Sequence, residues 1–387
     1  MGHAFLAPSS AHIWGKPGGC TLYPQVAAAF PEPETPEAAE GTASHEIGAE
    51  LIENSSRARF LDWSAFEGRT ASNGVPFTHE MFAGAKLYAD DVNRVMREYS
   101  VFGGDSLRIE QTVQIPRIHP THNSGTPDCS LLVKQCGFLY VWDYKYGFEV
   151  VEAFENWQMI DYVAGLLDVH GINPGAEQFT HVVIRVVQPR APHPKGPVRE
   201  WVVLASDLRS YFNNLANNAG ESMGTMATAR TGNHCKHCPG RHACGPALTA
   251  GVSLFEASGR ALPMQPTPEA MGAYKTFLDR AYEHIKSLRD AFDVQILASV
   301  KRGDFVPGWV TEPTFGRRKW TRPDAEVIAM GQMIDKNLAK PAQAITPNQA
   351  EQLGVDPAVI KQYSIASQSG FKLVPDDGQK AKEAFKQ

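Results

Sequence analysis

The sequence predicts an α/β fold, a central mixed sheet flanked by helices, followed by a helix-rich C-terminal region. Three observations carry that expectation. Strand-like alternation is confined to the middle of the chain, helical periodicity lies on both sides of it, and beyond about residue 262 only helical spacing remains.

Residues 31–39, PEPETPEAA, read as a Pro/Glu-rich loop, and the helical pattern of EGTASHEIGAELIENS begins near Thr42 or Ser44. Within it Ile47 and Leu51 share one face, while His45 shares another with Gly48, Ala49 and Ile52. Small residues beside a histidine let another element approach closely. A second helix is expected over Thr78–Tyr99. The period then becomes two: Leu107–Ile115 alternates as a strand, and Thr126–Val133 and Phe138–Lys145 follow, joined by a turn around Lys134–Gly137. Glu155–His170 returns to helical spacing, with Trp157, Ile160, Val163 or Ala164 and Leu167 on its apolar side. Phe179–Gln188 and Arg199–Leu204 supply two more strands, the first apolar enough to be central. Asp207–Arg230 reads as helix. Met271, Tyr274, Leu278, Ala281, Ile285, Leu288 and Phe292, at spacings of 3 and 4, define one long amphipathic helix expected to pack on the main domain.

A chain of 387 residues can bury a sizeable core. No apolar run approaches the roughly 20 residues of a membrane span, so no membrane partner is expected. The opening MGHAFLAPSSAHIW lacks the basic-then-apolar order of a signal peptide, and the expected compartment is the cytoplasm. A net charge of −5 argues against a uniformly basic nucleic-acid binder but leaves room for a local basic groove. Six cysteines, at 20, 129, 136, 235, 238 and 244, point to metal ligation before disulfides in such a compartment. Of these, Cys129 and Cys136 read as small core residues.

The chemistry gathers in GTPDCSLLVKQCGFLYVWDYKYG, Gly125–Gly147, which places Asp128 near the start of one strand and Asp143 with Lys145 at the end of the next. Charges are costly to bury unless something pairs with them. Adjacent strands joined by a short turn let the two carboxylates converge on one ion, and period two puts Lys145 on the face of Asp143. Two hard oxygen ligands suit magnesium or manganese. A nearby ammonium can position an attacking water or offset charge developing at phosphorus. Taken alone, a D-x-K is also an ordinary ion pair at a sheet end.

Pro127-Asp128, fourteen further residues and then Asp143-Tyr144-Lys145 resemble the signature of the PD-(D/E)XK nuclease superfamily. GTASHEIGAE is similar to the RecB-like branch, in which a helical histidine completes the metal site; the matching residue is His45. Gln158 and Tyr162 resemble the Q-x3-Y pattern of that branch, and four residues apart they share a helix face that can line a cleft. Glu110 corresponds to an auxiliary acidic residue. The resemblance, which covers roughly residues 1–250, implies a restriction-endonuclease-like core. It also implies a magnesium or manganese site made by Asp128, Asp143, the Tyr144 carbonyl and His45, with Asp128, Asp143, Lys145, Gln158 and Tyr162 as the catalytic set.

Cys235-x2-Cys238-x5-Cys244 follows that core and Cys20 precedes it. This is similar to the iron–sulfur RecB-like nucleases, including the CRISPR-adaptation nucleases and the nuclease domain of AddB. In them one early cysteine joins three late ones around a [4Fe–4S] cluster. Four thiolates also hold zinc, and His234, His237 and His242 lie close enough in sequence to substitute; spacing alone favours zinc, and the resemblance favours the cluster. Such a staple would clamp the N-terminal segment onto the end of the domain.

GRRKWTR, Gly316–Arg322, interleaves Arg317, Arg318, Lys319 and Arg322 with Trp320, which fits a strand-binding surface and a solvated basic loop equally. SGFKLVPDDGQKAKEAF resembles uncharacterised phage and prophage RecB-like nucleases. The expected organisation is a nuclease domain over 1–255 and a helix-rich region over 256–387 that serves DNA or partner binding. The function implied is a metal-dependent, phage-type exonuclease on linear double- or single-stranded DNA ends. Its role would be recombination or repair, with 5′→3′ polarity and a recombination protein as partner. A structure-specific or single-strand endonuclease and a catalytically silent DNA-binding scaffold are the alternatives; the intact Asp128, Asp143 and Lys145 weigh against the scaffold.

Overall fold

Two short helices, α1 (Ala11–Trp14) and α2 (Tyr23–Ala29), precede the first long one, α3 (Pro36–Ser56). The computed structural model describes residues 4–30, 35–101, 106–259, 265–310 and 329. α3 starts earlier than its periodicity indicates, inside the segment expected to be loop. Thr35 caps it by accepting the Ala38 amide, Pro36 has no N–H to leave unsatisfied, and Glu37 faces the positive end of the dipole. Thr78 caps α4 (His79–Glu98) in the same way, and α4 packs against α3. Gly48 permits that approach, since a Cβ there would meet the Tyr88 ring at 2.9 Å.

The strand expected over 107–115 is broken. β1 (Leu107–Ile109) stops at Glu110, whose φ of +46° turns the chain out of the ladder. β2 (Val113–Gln114) then pairs with β3 (Ser124–Gly125) in a separate two-stranded sheet. β4 (Cys129–Val133) starts later than expected, past Pro127, which has no N–H to give a ladder. β5 (Phe138–Tyr144), α5 (Trp157–Val169), β6 (His181–Val187) and β7 (Val198–Leu204) take their expected places. The main sheet runs β1-β4-β5-β6-β7 and is antiparallel except between β5 and β6, which α5 connects.

α6 (Arg209–Met223) ends before Arg230 because the residues beyond Gly224 bond to the N-terminal segment instead: Leu22 N to Thr228 O, and Thr228 N to Thr21 Oγ1. Alternation along β5 divides the core. Leu139 and Val141 join Leu132, Val182, Ile184 and Val186 on the side of α1, α5 and α6, while Tyr140, Trp142 and Tyr144 join Leu131, Val133 and Val183 on the side of α3 and α4. Each large side chain so buried contributes about 1.5–3 kcal/mol. α5 is buried all round from Met159 to Leu167, not on one stripe, because α1, α6 and β2 pack on it as well as the sheet.

α7 (Gly245–Ser258) runs across the position expected to divide the domains. α8 (Pro268–Arg302) is the long helix, capped by Thr267 and ended by Gly303 at φ +93°. Its periodic residues form the seam in part: Ala281 is buried, Leu288 lies against Gly251 and Tyr274 OH donates to Ser258 O, while Met271, Leu278, Ile285 and Phe292 are exposed and Ala291, off the stripe, is buried. Small residues let α8 lie close on α7 and on the cysteine-bearing turns. No helix among the described residues is long and apolar enough to cross a membrane. GRRKWTR, with Arg317, Arg318, Lys319, Trp320 and Arg322, and the C-terminal SGFKLVPDDGQKAKEAF lie outside the described residues.

Candidate metal centre

Sheet register brings the two aspartates together. Cys129 pairs with Trp142 in the β4–β5 ladder, so Asp128 stands opposite Asp143 one step further along. Asp128 Oδ2 accepts the Tyr144 amide at 2.6 Å. Asp143 points to the α5 side by alternation and is 2 % exposed, with Oδ1 held by Lys145 Nζ at 2.9 Å. Lys145 Nζ also donates to Gln158 Oε1 at 3.2 Å, and Gln158 Nε2 donates to Tyr162 OH at 3.4 Å. The Gln158/Tyr162 pair on α5 thus continues a line of contacts that starts at Asp143.

α3 supplies His45, whose Nδ1 lies 3.5 Å from Glu110 Oε1 and 3.5 Å from Asp128 Oδ1. The strained backbone of Glu110 is what turns its carboxylate here, and its amide bonds Asp128 O at 3.0 Å. The donor atoms of His45, Glu110 and Asp128 all lie within 4.8 Å of one another. An octahedral ion with bonds of about 2.1 Å sets neighbouring donors about 3.0 Å and opposite donors about 4.2 Å apart, so a small contraction would let the three share one cation. Asp143 supplies a second sign, since its Oδ2 is buried with no hydrogen-bond partner among the described residues. Buried carboxylate oxygens are rarely left that way. Carboxylates with one imidazole fit a divalent ion such as manganese or magnesium. Tyr144 joins through its backbone, the amide bonding Asp128 and the carbonyl expected as a ligand belonging to the same residue.

Charge in the cluster is tightly interdependent. Burial pushes the Asp128 carboxyl up to about 7, Asp143 and Glu110 push the same way, and His45 and Lys145 oppose them. Burial would lower the His45 imidazole, but Asp128 and Glu110 outweigh it and hold the ring at about 9. Lys145 is likewise kept above its ordinary value by Asp143 and Asp128 despite burial. Three carboxylates against two cations leave the cluster with an affinity for positive charge.

Two residues the motifs do not mark hold this arrangement from behind. The Tyr144 ring lies 5.2 Å from His45, its hydroxyl pairs with Ser44 Oγ at 2.8 Å, and Tyr88 stacks on it at 5.1 Å with planes 5° apart. Ser44 could have been suspected from its place beside His45. Tyr88 could not, because only the α3–α4 packing brings it there.

Cys20, Cys235, Cys238 and Cys244 line one small cavity together with His234 and Arg241. Burial raises the Cys235 thiol and pushes Cys238 up to about 11, so these sulfurs remain neutral unless a metal displaces their protons. Among the described residues, no three of the four sulfurs fall within 4.8 Å of one another. The Gly232 amide donates to Cys235 Sγ at 3.3 Å. Of the three histidines near these cysteines in sequence, only His234 lines the cavity; His242 lies against Phe30 at 4.7 Å and His237 near His12 at 6.2 Å.

Hydrogen bonds hold the N-terminal segment here. Asn218 Nδ2 donates to Trp14 O and Lys16 O, Arg230 Nη1 to Gly19 O, and Thr21 Oγ1 to Glu221 Oε1. Gly240 admits α2, since a Cβ there would overlap Val26 Cγ1 at 2.1 Å. Cys129 is a core residue as expected, but Cys136 is exposed: it sits in the β4–β5 turn, where side chains leave the sheet.

Residues 3–375 match a family described as a protein of unknown function, DUF2800, and the chain belongs to that family. Among solved structures, one titled "Crystal structure of SSO0001" is 10 % identical; the match covers 58 % of this chain and 94 % of that one, with a TM-score of 0.24.

Proposed function

We propose that this chain is a divalent-metal-dependent deoxyribonuclease of the PD-(D/E)XK, RecB-like type. It would act as an exonuclease that trims DNA ends for recombination or repair, with an iron–sulfur staple. What supports the reading is one observation, the orphaned Asp143 Oδ2 beside the clustered donors of His45, Glu110 and Asp128. His45, Glu110, Asp128 and Asp143 would hold the ion, which when bound supplies Lewis acidity toward a phosphate oxygen and a water of lowered pKa. Lys145, kept protonated by Asp143, acts as a donor that orients water or a phosphate oxygen and not as a base. Gln158 fixes the direction of that ammonium. Cys20, Cys235, Cys238 and Cys244 would hold a [4Fe–4S] cluster with a structural role, because phosphodiester hydrolysis moves no electrons. The 5′→3′ polarity, a phage origin and a recombination partner belong to the same reading through the resemblance. The test is anaerobically purified protein incubated with end-labelled linear and circular DNA, with and without manganese. Linear DNA is expected to be degraded and circular DNA to persist. Cleavage undiminished in excess chelator would overturn the metal requirement, and equal cleavage of circles would make the enzyme an endonuclease.

A further inference from the structure

At the start of α5 lies an aromatic group that neither the fold nor the proposed chemistry accounts for. Phe154 is 63 % exposed. Its ring meets Trp201 of β7 edge-on at 5.3 Å, Trp201 meets Tyr211 of α6 at 6.2 Å, and Tyr211 meets Trp157, the first residue of α5, at 5.3 Å. Trp157, Trp201 and Tyr211 are partly buried against the core beneath α5. Phe154 alone stands clear.

The backbone holds it there at a cost. Glu155, next in the chain, has φ +50°, a conformation uncommon outside glycine, and its Oε1 accepts the Tyr211 hydroxyl at 2.6 Å. Asn156 then caps α5 and its Nδ2 bonds Glu152 O at 3.0 Å, closing the loop on itself. A strained residue pinned from its side chain, directly between an exposed ring and a capped helix, fixes the direction in which the ring points. Trp157 precedes Gln158, which accepts from Lys145 Nζ, so the group lies at the end of α5 that carries one of the cluster's contacts.

We infer that Phe154, backed by Trp201, is a stacking platform for a base of single-stranded DNA. A flat exposed ring offers every base a π-face, which suits an enzyme that must accept any sequence. A duplex keeps its bases stacked on one another and has none to offer. The subsite therefore selects frayed or single-stranded ends. The inference takes its choice of strand from the nuclease reading above.

The test is binding of a fluorescent oligothymidylate in excess chelator, where nothing is cut, beside a blunt hairpin duplex. Phe154→Ala should weaken oligothymidylate binding on the order of tenfold and leave the duplex affinity as it was. Phe154→Tyr and Phe154→Trp should restore binding, and Phe154→Leu, apolar but without a π-face, should not. Melting temperatures check that each variant is folded; if alanine is not, the Leu/Tyr contrast decides. Oligothymidylate affinity unchanged in the alanine variant, restoration by leucine, or an equal loss on duplex would each overturn the platform. Failure of the wild type to bind the oligothymidylate would do so too. If the wild type binds through Phe154 but cuts no DNA with manganese, the nuclease reading falls and the platform stands.

Discussion

The carboxylate cluster at the end of β5 and the four cysteines around residue 20 both gather residues from far apart in the chain, and they are held in opposite ways. Asp128, Asp143 and Lys145 take their places from ladder register and alternation, and His45, Gln158 and Tyr162 from helix faces. The cysteines sit on turns and short 3₁₀ segments, tied down by side-chain bonds to backbone such as Asn218 to Trp14 O and Arg230 to Gly19 O. On the proposed reading the first site must meet a phosphate within fractions of an ångström, and such a site profits from rigid elements. A staple can sit on turns, because the bound group supplies the order its ligands lack.

The sharpest way to break this comparison is Asp128→Asn. The amide keeps an oxygen for the Tyr144 N–H but loses the charge facing His45 and the expected ion. Cleavage should fall by about a thousandfold, the size of several kcal/mol of lost charge stabilisation. Melting temperature, visible absorbance and DNA binding should hold. Loss of colour or fold would mean that the two sites are one structural unit.

Cys20→Ser should do the reverse. A bond from residue 20 to residues 235–244 closes a loop of more than two hundred residues, and long closures restrict the unfolded chain most in theory. The visible absorbance should bleach. The Asn218, Arg230 and Thr21 bonds persist without sulfur, so the segment stays docked and the loss is partial, on the order of 5–10 °C in melting temperature. Unchanged colour, iron content and melting temperature would remove Cys20 from the ligand set.

The same contrast explains what could be read from the sequence. Period two placed Asp143 and Lys145 on one face, and the interval of four placed Gln158 with Tyr162, because regular elements translate spacing directly into position. Elements defined by strain or by crowding were not legible. Nothing in LRIEQTVQI marks Glu110 as the residue at φ +46° that ends the ladder, and nothing in the Met271-to-Phe292 stripe marks Met271, Leu278, Ile285 and Phe292 as exposed while Ala281 is buried. That the four cysteines line one cavity follows from no local period. The pairing of residues 20 and 235 depends on α6 ending at Met223, which in turn depends on bonds to Thr21 and Leu22.

A third variant sets a buried carboxylate without a cation against Asp143 with one. Asp161, on α5, is fully buried and, among the described residues, its carboxylate is bonded by Asn123 Nδ2 alone, at 2.9 and 3.2 Å. Burial raises its carboxyl to about 8, with the Asn123 bond opposing. The folded state therefore binds the extra proton between the ordinary carboxyl range and about pH 8, so stability is full at acid pH and declines as pH rises through that window, by up to about 1.4 kcal/mol per unit. Asp161→Asn removes the titration, and its amide can donate to Asn123 Oδ1, which has no partner among the described residues. Melting temperatures should differ little at about pH 5 and favour the variant at about pH 8. Equal curves at both would place the proton elsewhere.

The smallest effect belongs to the cysteine that the comparison leaves out. Cys136 lies in the β4–β5 turn, exposed, and is not among the residues lining the cavity of the other four. Its sulfur fills no core space, so Cys136→Ser should change stability by less than about 0.5 kcal/mol. Iron content and the visible spectrum should match the wild type, and cleavage should too, since the turn lies at the opposite end of β5 from Asp143. The measurement is a paired spectrum and melt beside Cys20→Ser. Bleaching in both would mean that the sulfurs are not sorted by place in the fold, and the staple would have to be assigned afresh.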